Sequence, residues 1–205
     1  MGKEAAIMYI DNSDLIVDST DFHDNTSNKT KDDASEANVG ANMIFQNGAE
    51  VEIRHSNFDG NHAKQGAGIY ATERTIIDIT NCTFTNNEVG SQAAGVIFES
   101  STVATVSDCL FEHLHSNETA SAMTVNEATA TINNTVFKEN TSNVGLAQVA
   151  TATVLIIDSS FRDNFATEVT NGFSVTESDF RIQNSFITNK GGPPSRRRNR
   201  RLRRR

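Results

Sequence analysis

Tryptophan is absent from this sequence, tyrosine occurs twice, and aromatic residues make up 7% of its 205 positions. A chain so poor in large rings cannot fill a broad globular core, and the composition suits a thin, elongated one. No apolar run approaches the roughly 18–20 residues of a membrane-crossing helix, which excludes such a span in this segment. Met1–Ala6 runs almost directly into a strand pattern, leaving no room for a secretory signal or a long N-terminal cap, so a fragment of a longer protein is expected. Cysteine occurs only at Cys82 and Cys109, too few to fix the redox compartment. HExxH, paired CxxC, GxSxG and a phosphate-cradling glycine loop are all missing. No catalytic set, cofactor or metal site is therefore expected.

What the sequence has in quantity is repetition. Ile77–Asn87, IDITNCTFTNN, recurs along the chain, and alignment on its phenylalanine gives Phe22, Phe58, Phe84, Phe111, Phe137, Phe161 and Phe186. The intervals are 36, 26, 27, 26, 24 and 25 residues. A period near 25 carried by short alternating runs marks a solenoid. Five residues before each Phe stand Val17, Ile53, Ile79, Val106, Ile132 and Ile156; seven before stand Leu15, Val51, Ile77, Ala104, Ala130 and Val154. The residue between them is usually polar (Glu52, Asp78, Thr105, Thr131), so the segments read as strands with one buried face. A small residue two before the Phe (Thr20, Ser56, Cys82, Cys109, Thr135, Ser159) shares the inward parity only if the chain turns just ahead of it. In the last unit Ile182 is one place out, as though that rung had lost a residue.

Three residues after the Phe come Asn25, Asn61, Asn87, Asn140, Asn164 and Asn189, with Leu114 the exception. An Asn there suits a left-handed backbone and, stacked once per coil, an amide ladder. A further strand precedes most units, as in Ile69-Tyr70-Ala71 after Gly66-Ala67-Gly68. No unit buries its apolar residues alone. Stacked at about 4.8 Å, they predict an all-β, single-stranded, right-handed parallel β-helix of about seven coils over residues 1–190. An antiparallel sandwich explains neither the Phe-x-x-Asn column nor the constant period.

The tetrads FHDN, FDGN, FTNN, FKEN, FRDN and FITN, interleaved with GAGI and AAGV, resemble the FxxN and GGA[ILV] repeats of chlamydial polymorphic outer-membrane proteins. The resemblance covers about residues 5–190. It implies a parallel β-helix and a surface-exposed, adhesin-like passenger, hence an extracellular or cell-surface location.

Outside the repeat, a polar insertion near residues 25–38 is expected to project as a loop. Gly191–Arg205 is a Gly/Pro linker and an arginine tail, an appendage or disordered segment. Arg196, Arg197, Arg198, Arg200, Arg201, Arg203, Arg204 and Arg205 are candidates for polyanion binding. Eight of the 18 basic residues lie in this tail, so residues 1–190 carry 10 against 26 acidic ones, a net −16. Cys82 and Cys109 share one column of adjacent coils and are expected as free, buried thiols. His113 and His115 suggest an irregular solvated turn, with metal ligation the alternative. Asp24, Asp59, Glu139 and Asp163 are the carboxylates that a pectate-lyase-like carbohydrate enzyme would draw on.

The reading that results is a non-enzymatic structural or adhesion module, part of a larger surface protein, binding a protein or glycan partner. The alternatives are that enzyme, or a component of a large assembly docking through its coil ends, by end-to-end stacking on a neighbouring chain, or by its arginine tail on protein or nucleic acid.

Overall fold

The computed structural model describes residues 5–26, 40–167 and 172–189. Among these, every regular element is a β-strand and every strand pair is parallel. One turn shows the plan. Ile69–Ala71 belongs to sheet I, Ile76–Thr80 to sheet II, Thr83–Thr85 to sheet III and Glu88–Val89 to sheet IV, after which the chain re-enters sheet I at Val96–Glu99. Sheets I, II and III have seven strands each and sheet IV has five, each strand bonded to the corresponding strands of the turns before and after. Five turns thus carry all four strands, flanked by two that carry three. The chain is a parallel β-solenoid.

The expected insertion falls on residues 27–39 apart from its first positions, and the arginine tail on 190–205; both lie outside the described residues. Thr26 is described and bridges to His62 of the next turn.

The core is a set of columns along the axis. Phe22, Phe58, Phe84, Phe111, Phe137 and Phe161 stack with ring centroids 4.6–4.9 Å apart and planes within 12° of parallel. That spacing is the strand spacing of the sheet, so the backbone ladder dictates the ring stack. Phe186 does not join it. In register, Ile187 stands beside Phe161, and Phe186 stands beside Ser160 with 59% of its surface exposed. Ile182 lies in register with Ile156, five residues before Ile187, so the last rung has lost nothing. The Phe of that rung is one place early, and alignment on it displaces the rest. Phe161 is capped instead by Phe173, edge-on at 5.0 Å.

The turns explain why inward parity changes within a unit. Ser19, His55, Asn81, Asp108, Asn134, Asp158 and Asn184, between sheets II and III, all have φ of 45–55°. One left-handed residue there turns the chain and brings the small side chain that follows back to the interior. After sheet III the left-handed residue is Asp24, Gly60, Asn86, His113, Glu139 or Asp163. It precedes the Asn of the repeat, so the Asn serves as a side-chain hydrogen-bonder and not as the left-handed turn residue.

The small residues before sheet I have a steric cause. A Cβ on Gly68 would lie 2.2 Å from the Gly95 carbonyl oxygen; one on Gly95 would lie 2.5 Å from the Ala122 oxygen and 2.8 Å from the Phe111 ring. Where Ala122 follows Gly95 up the axis, the register of Ala120–Asn126 shifts between Ala120 and Met123. Sheet IV has no counterpart in the sequence pattern. Its strands are two residues long, and their inward side chains (Ala63, Val89, Ser116, Ser142, Ala166) are too mixed to show a period.

Candidate functional site

Most buried polar groups of the solenoid satisfy one another; the Ser121 and Thr124 hydroxyls are the buried exceptions among the described residues. Asn61 donates from Nδ2 to the Phe22 carbonyl at 2.9 Å and to Asn87 Oδ1 at 3.0 Å, while its own Oδ1 accepts from the Asn25 backbone N–H at 3.1 Å. The same pattern runs from Asn140 through Asn164 to Asn189. Leu114, fully buried, separates the two runs, and its N–H donates to Asn140 Oδ1 at 2.9 Å. In the small-residue column, each side chain accepts from the backbone N–H of the preceding turn and donates to a carbonyl two residues back: Ser159 Oγ accepts from Thr135 and donates to Ile157. Cys82 and Cys109 occupy this column as free, buried thiols. The Cys109 sulfur accepts the Cys82 backbone N–H at 3.4 Å; its contact with Cys82 and its burial push its thiol pKa up, so it is protonated and inert at neutral pH. Asn140 begins an Asn-Thr-Ser sequon, but its amide is closed inside the ladder.

These interior groups hold turn to turn, and the charged clusters lie on the outward surfaces. His113 and His115 diverge: His113 Nε2 meets Glu139 Oε2 of the next turn at 2.7 Å, and His115 Nε2 meets Asn117 Oδ1 at 3.0 Å. Glu112, His113 and Glu139 bring three potential ligand atoms within 4.8 Å of one another. Lys138 Nζ lies 2.6 Å from Glu112 and 3.9 Å from Glu139, so an ammonium already offsets part of the cluster's negative charge. The hydrogen bond to Glu112 raises the Lys138 pKa, which keeps that charge in place. A second ionic knot joins Asp18, Glu52, Arg54 and His55 at 2.8–3.1 Å. Hydrogen bonds from His55, Arg54 and Ser19 hold the Asp18 carboxyl far below the usual range, at about 2.

The carboxylates expected to matter do not converge. They are spread along the column: Asp24 lies beside His23, Asp59 accepts from Thr85 and Asn86, Glu139 joins the Lys138 cluster, and Asp163 holds the corresponding left-handed position on the turn after Glu139. The hydrogen bonds from Thr85 and Asn86 lower the Asp59 pKa.

Convergence occurs on the outward face of sheet II instead. There a groove of about 270 Å³ is lined by Asp14, Glu50, Glu52 and Asp78 around Ile16 and Ile76. The register sets Asp14 directly beside Glu50, and Glu52 directly beside Asp78. Each is a like-charge pair at the strand spacing, an arrangement that costs stability. Of the four, only Glu52 has an ion-pair partner among the described residues, Arg54. Ile16 and Ile76 are 63% and 49% exposed. The signal was present in the repeat: Asp14 and Glu50 both stand eight residues before their Phe, and Glu52 and Asp78 six before. As the polar half of an alternating strand, they read as solvated positions.

Stacked parallel strands, four sheets around one axis and side-chain columns along it define a β-helix. The family model described as "Right handed beta helix region" matches residues 67–193, and the chain belongs to that family. No curated protein and no solved structure matches it.

Proposed function

We propose that this chain is a non-enzymatic structural and adhesion-type module, a surface-exposed segment of a larger protein, that holds a partner along the outward face of sheet II. The observation that carries the reading is the pair of stacked carboxylates in the groove. Asp14 with Glu50, and Glu52 with Asp78, accumulate negative charge that, among the described residues, only Arg54 offsets by an ion pair. Exposed Ile16 and Ile76 add an apolar floor. Charge of this density steers and retains a cation, and the aliphatic surface adds desolvation. The partner that fits is an extended basic segment of another protein, with side chains alternating between lysine or arginine and an aliphatic residue. The FxxN repeats and the β-helix family are consistent with a surface module of this kind.

The test is binding of a lysine–leucine alternating peptide to the immobilised chain at several salt concentrations. Binding should weaken steeply with salt and fall at least tenfold in the Glu50→Gln/Asp78→Asn variant. Equal binding by that variant would contradict the reading.

The same carboxylates favour one alternative, a carbohydrate-active enzyme, since acid and base groups on one outward sheet are what glycan cleavage needs. New reducing ends or unsaturated products, released from a panel of acidic and neutral polysaccharides and lost in the same variant, would support the enzyme over the adhesin.

A further inference from the structure

Sheet IV carries an outward row that the carboxylate groove leaves unused. Four residues after the Phe of successive turns stand His62, Glu88, His115, Thr141 and Phe165, and the register sets them side by side. Each is the outward residue of a two-residue strand whose second residue is buried. The chain has five histidines, and His62 and His115 are the two that the fold brings into one row, with a carboxylate between them.

Two features separate this row from an ordinary solvated edge. The first is the donor set and its spacing. His62 Nδ1 is already 3.8 Å from Glu88 Oε2, and Glu88 has no other ion-pair partner among the described residues. A metal above Glu88 would stand one strand spacing, about 4.8 Å, along the axis from each histidine backbone, a gap that an imidazole and a metal–nitrogen bond of about 2.0–2.1 Å span.

The second feature is the half-buried His115 ring. Its Nε2 lies 3.0 Å from Asn117 Oδ1, while Asn117 Nδ2 donates to the Val89 carbonyl at 3.5 Å. The bond to Val89 sets which end of the amide faces the ring. An amide oxygen only accepts, so Nε2 carries the hydrogen, and in the uncharged ring Nδ1 keeps the lone pair that a metal takes. A ring N–H held by a carbonyl oxygen is the outer contact that orients metal-binding histidines.

Glu112, His113 and Glu139 stand closer together, but the Lys138 ammonium already sits among them. The sheet IV row contains no basic side chain among the described residues. Two imidazoles and one carboxylate suit a borderline divalent ion such as zinc, whereas calcium and magnesium take oxygen ligands.

We propose that His62, Glu88 and His115 bind one divalent transition-metal ion of the zinc class, bridging three successive turns. His115 ligates through Nδ1, Glu88 through a carboxylate oxygen and His62 through a ring nitrogen, with a position left for water. The site lies on a different sheet from the carboxylate groove and stands whether or not that groove binds a basic segment.

The test is calorimetric titration of the full chain with zinc chloride in a non-coordinating buffer, with calcium and magnesium chlorides as controls. Imidazole resonances are followed by NMR in parallel. One zinc per chain is expected to move the His62 and His115 signals together and to leave those of His23 and His55 in place. His62→Gln, Glu88→Gln and His115→Gln, all at outward positions, should each lower zinc affinity at least tenfold and leave the metal-free melting temperature nearly unchanged. His113→Gln, which disturbs the Lys138 cluster but not the row, should bind zinc as the parent does. Zinc should also raise the melting temperature of the parent and not that of Glu88→Gln, since the ion ties three turns together. Absence of zinc binding, calcium bound as tightly as zinc, or binding lost in His113→Gln and kept in His115→Gln would each overturn the proposal.

Discussion

Asn140 holds three neighbours at once. Its Nδ2 donates to the Phe111 carbonyl and to Asn164 Oδ1, and its Oδ1 accepts the N–H of Leu114. Truncation to alanine leaves a buried N–H and a buried carbonyl short of partners, each costing about 1–3 kcal/mol. Asn140→Ala is therefore expected to lose about 2–4 kcal/mol in urea unfolding. Leu114→Asn should stay within about 1 kcal/mol of the parent, because the new amide bonds offset the lost apolar burial; a loss above about 3 kcal/mol would show that the slot is not equivalent. The Asn column was legible because the chemistry demands one residue type at one place. Its left-handed neighbour was not, since Asp, Gly, Asn, His and Glu all serve there. Asp18 gives a pH prediction. Its folded pKa is depressed, so its contribution to stability is complete above the usual carboxylate value and is lost as pH falls from about 4 through about 2. NMR titration should find its carboxyl half-protonated near pH 2; a midpoint near 4 would mean that the Arg54 and His55 contacts do not persist in solution.

At the scale of the strand, backbone spacing and not side-chain preference sets the limits. Gly95 lies where any Cβ meets the Ala122 carbonyl and the Phe111 ring, so Gly95→Ala should cost about 1–3 kcal/mol of overpacking strain, read from thermal unfolding. A neutral outcome would mean that adjacent turns move apart easily. Sheet II was readable from the sequence because apolar and polar residues alternate over five positions, as in Glu50–Arg54. Sheet IV was not, because a two-residue strand such as Glu88–Val89 is too short to show a period. The last rung misled for another reason: Phe186 keeps the residue type of the column while sitting one place outside its register.

Across the whole molecule, polarity divides into two roles. Inside, amides, hydroxyls and thiols bond one another and hold turn to turn; outside, the sheet II groove concentrates charge that, among the described residues, only Arg54 offsets by an ion pair. Such stacking destabilises the column in exchange for a charged surface. Glu50→Gln/Asp78→Asn should therefore raise stability by roughly 0.2–1 kcal/mol for each repulsive pair relieved, even as it weakens binding of the basic peptide. A less stable variant would mean that those carboxylates serve the fold. The groove was hidden in the sequence because its four acids lie on three separate turns, and only the stacking places them together.

The account rests on a continuous interior column built from one position in each turn. The most direct test compares two truncations of the same residue type by equilibrium unfolding. Phe111 is buried between Phe84 and Phe137, and Phe186 is exposed. Phe111→Ala is predicted to cost about 3–5 kcal/mol and Phe186→Ala less than about 1 kcal/mol. Equal losses at the two positions, or a loss below about 1 kcal/mol at Phe111, would contradict the column.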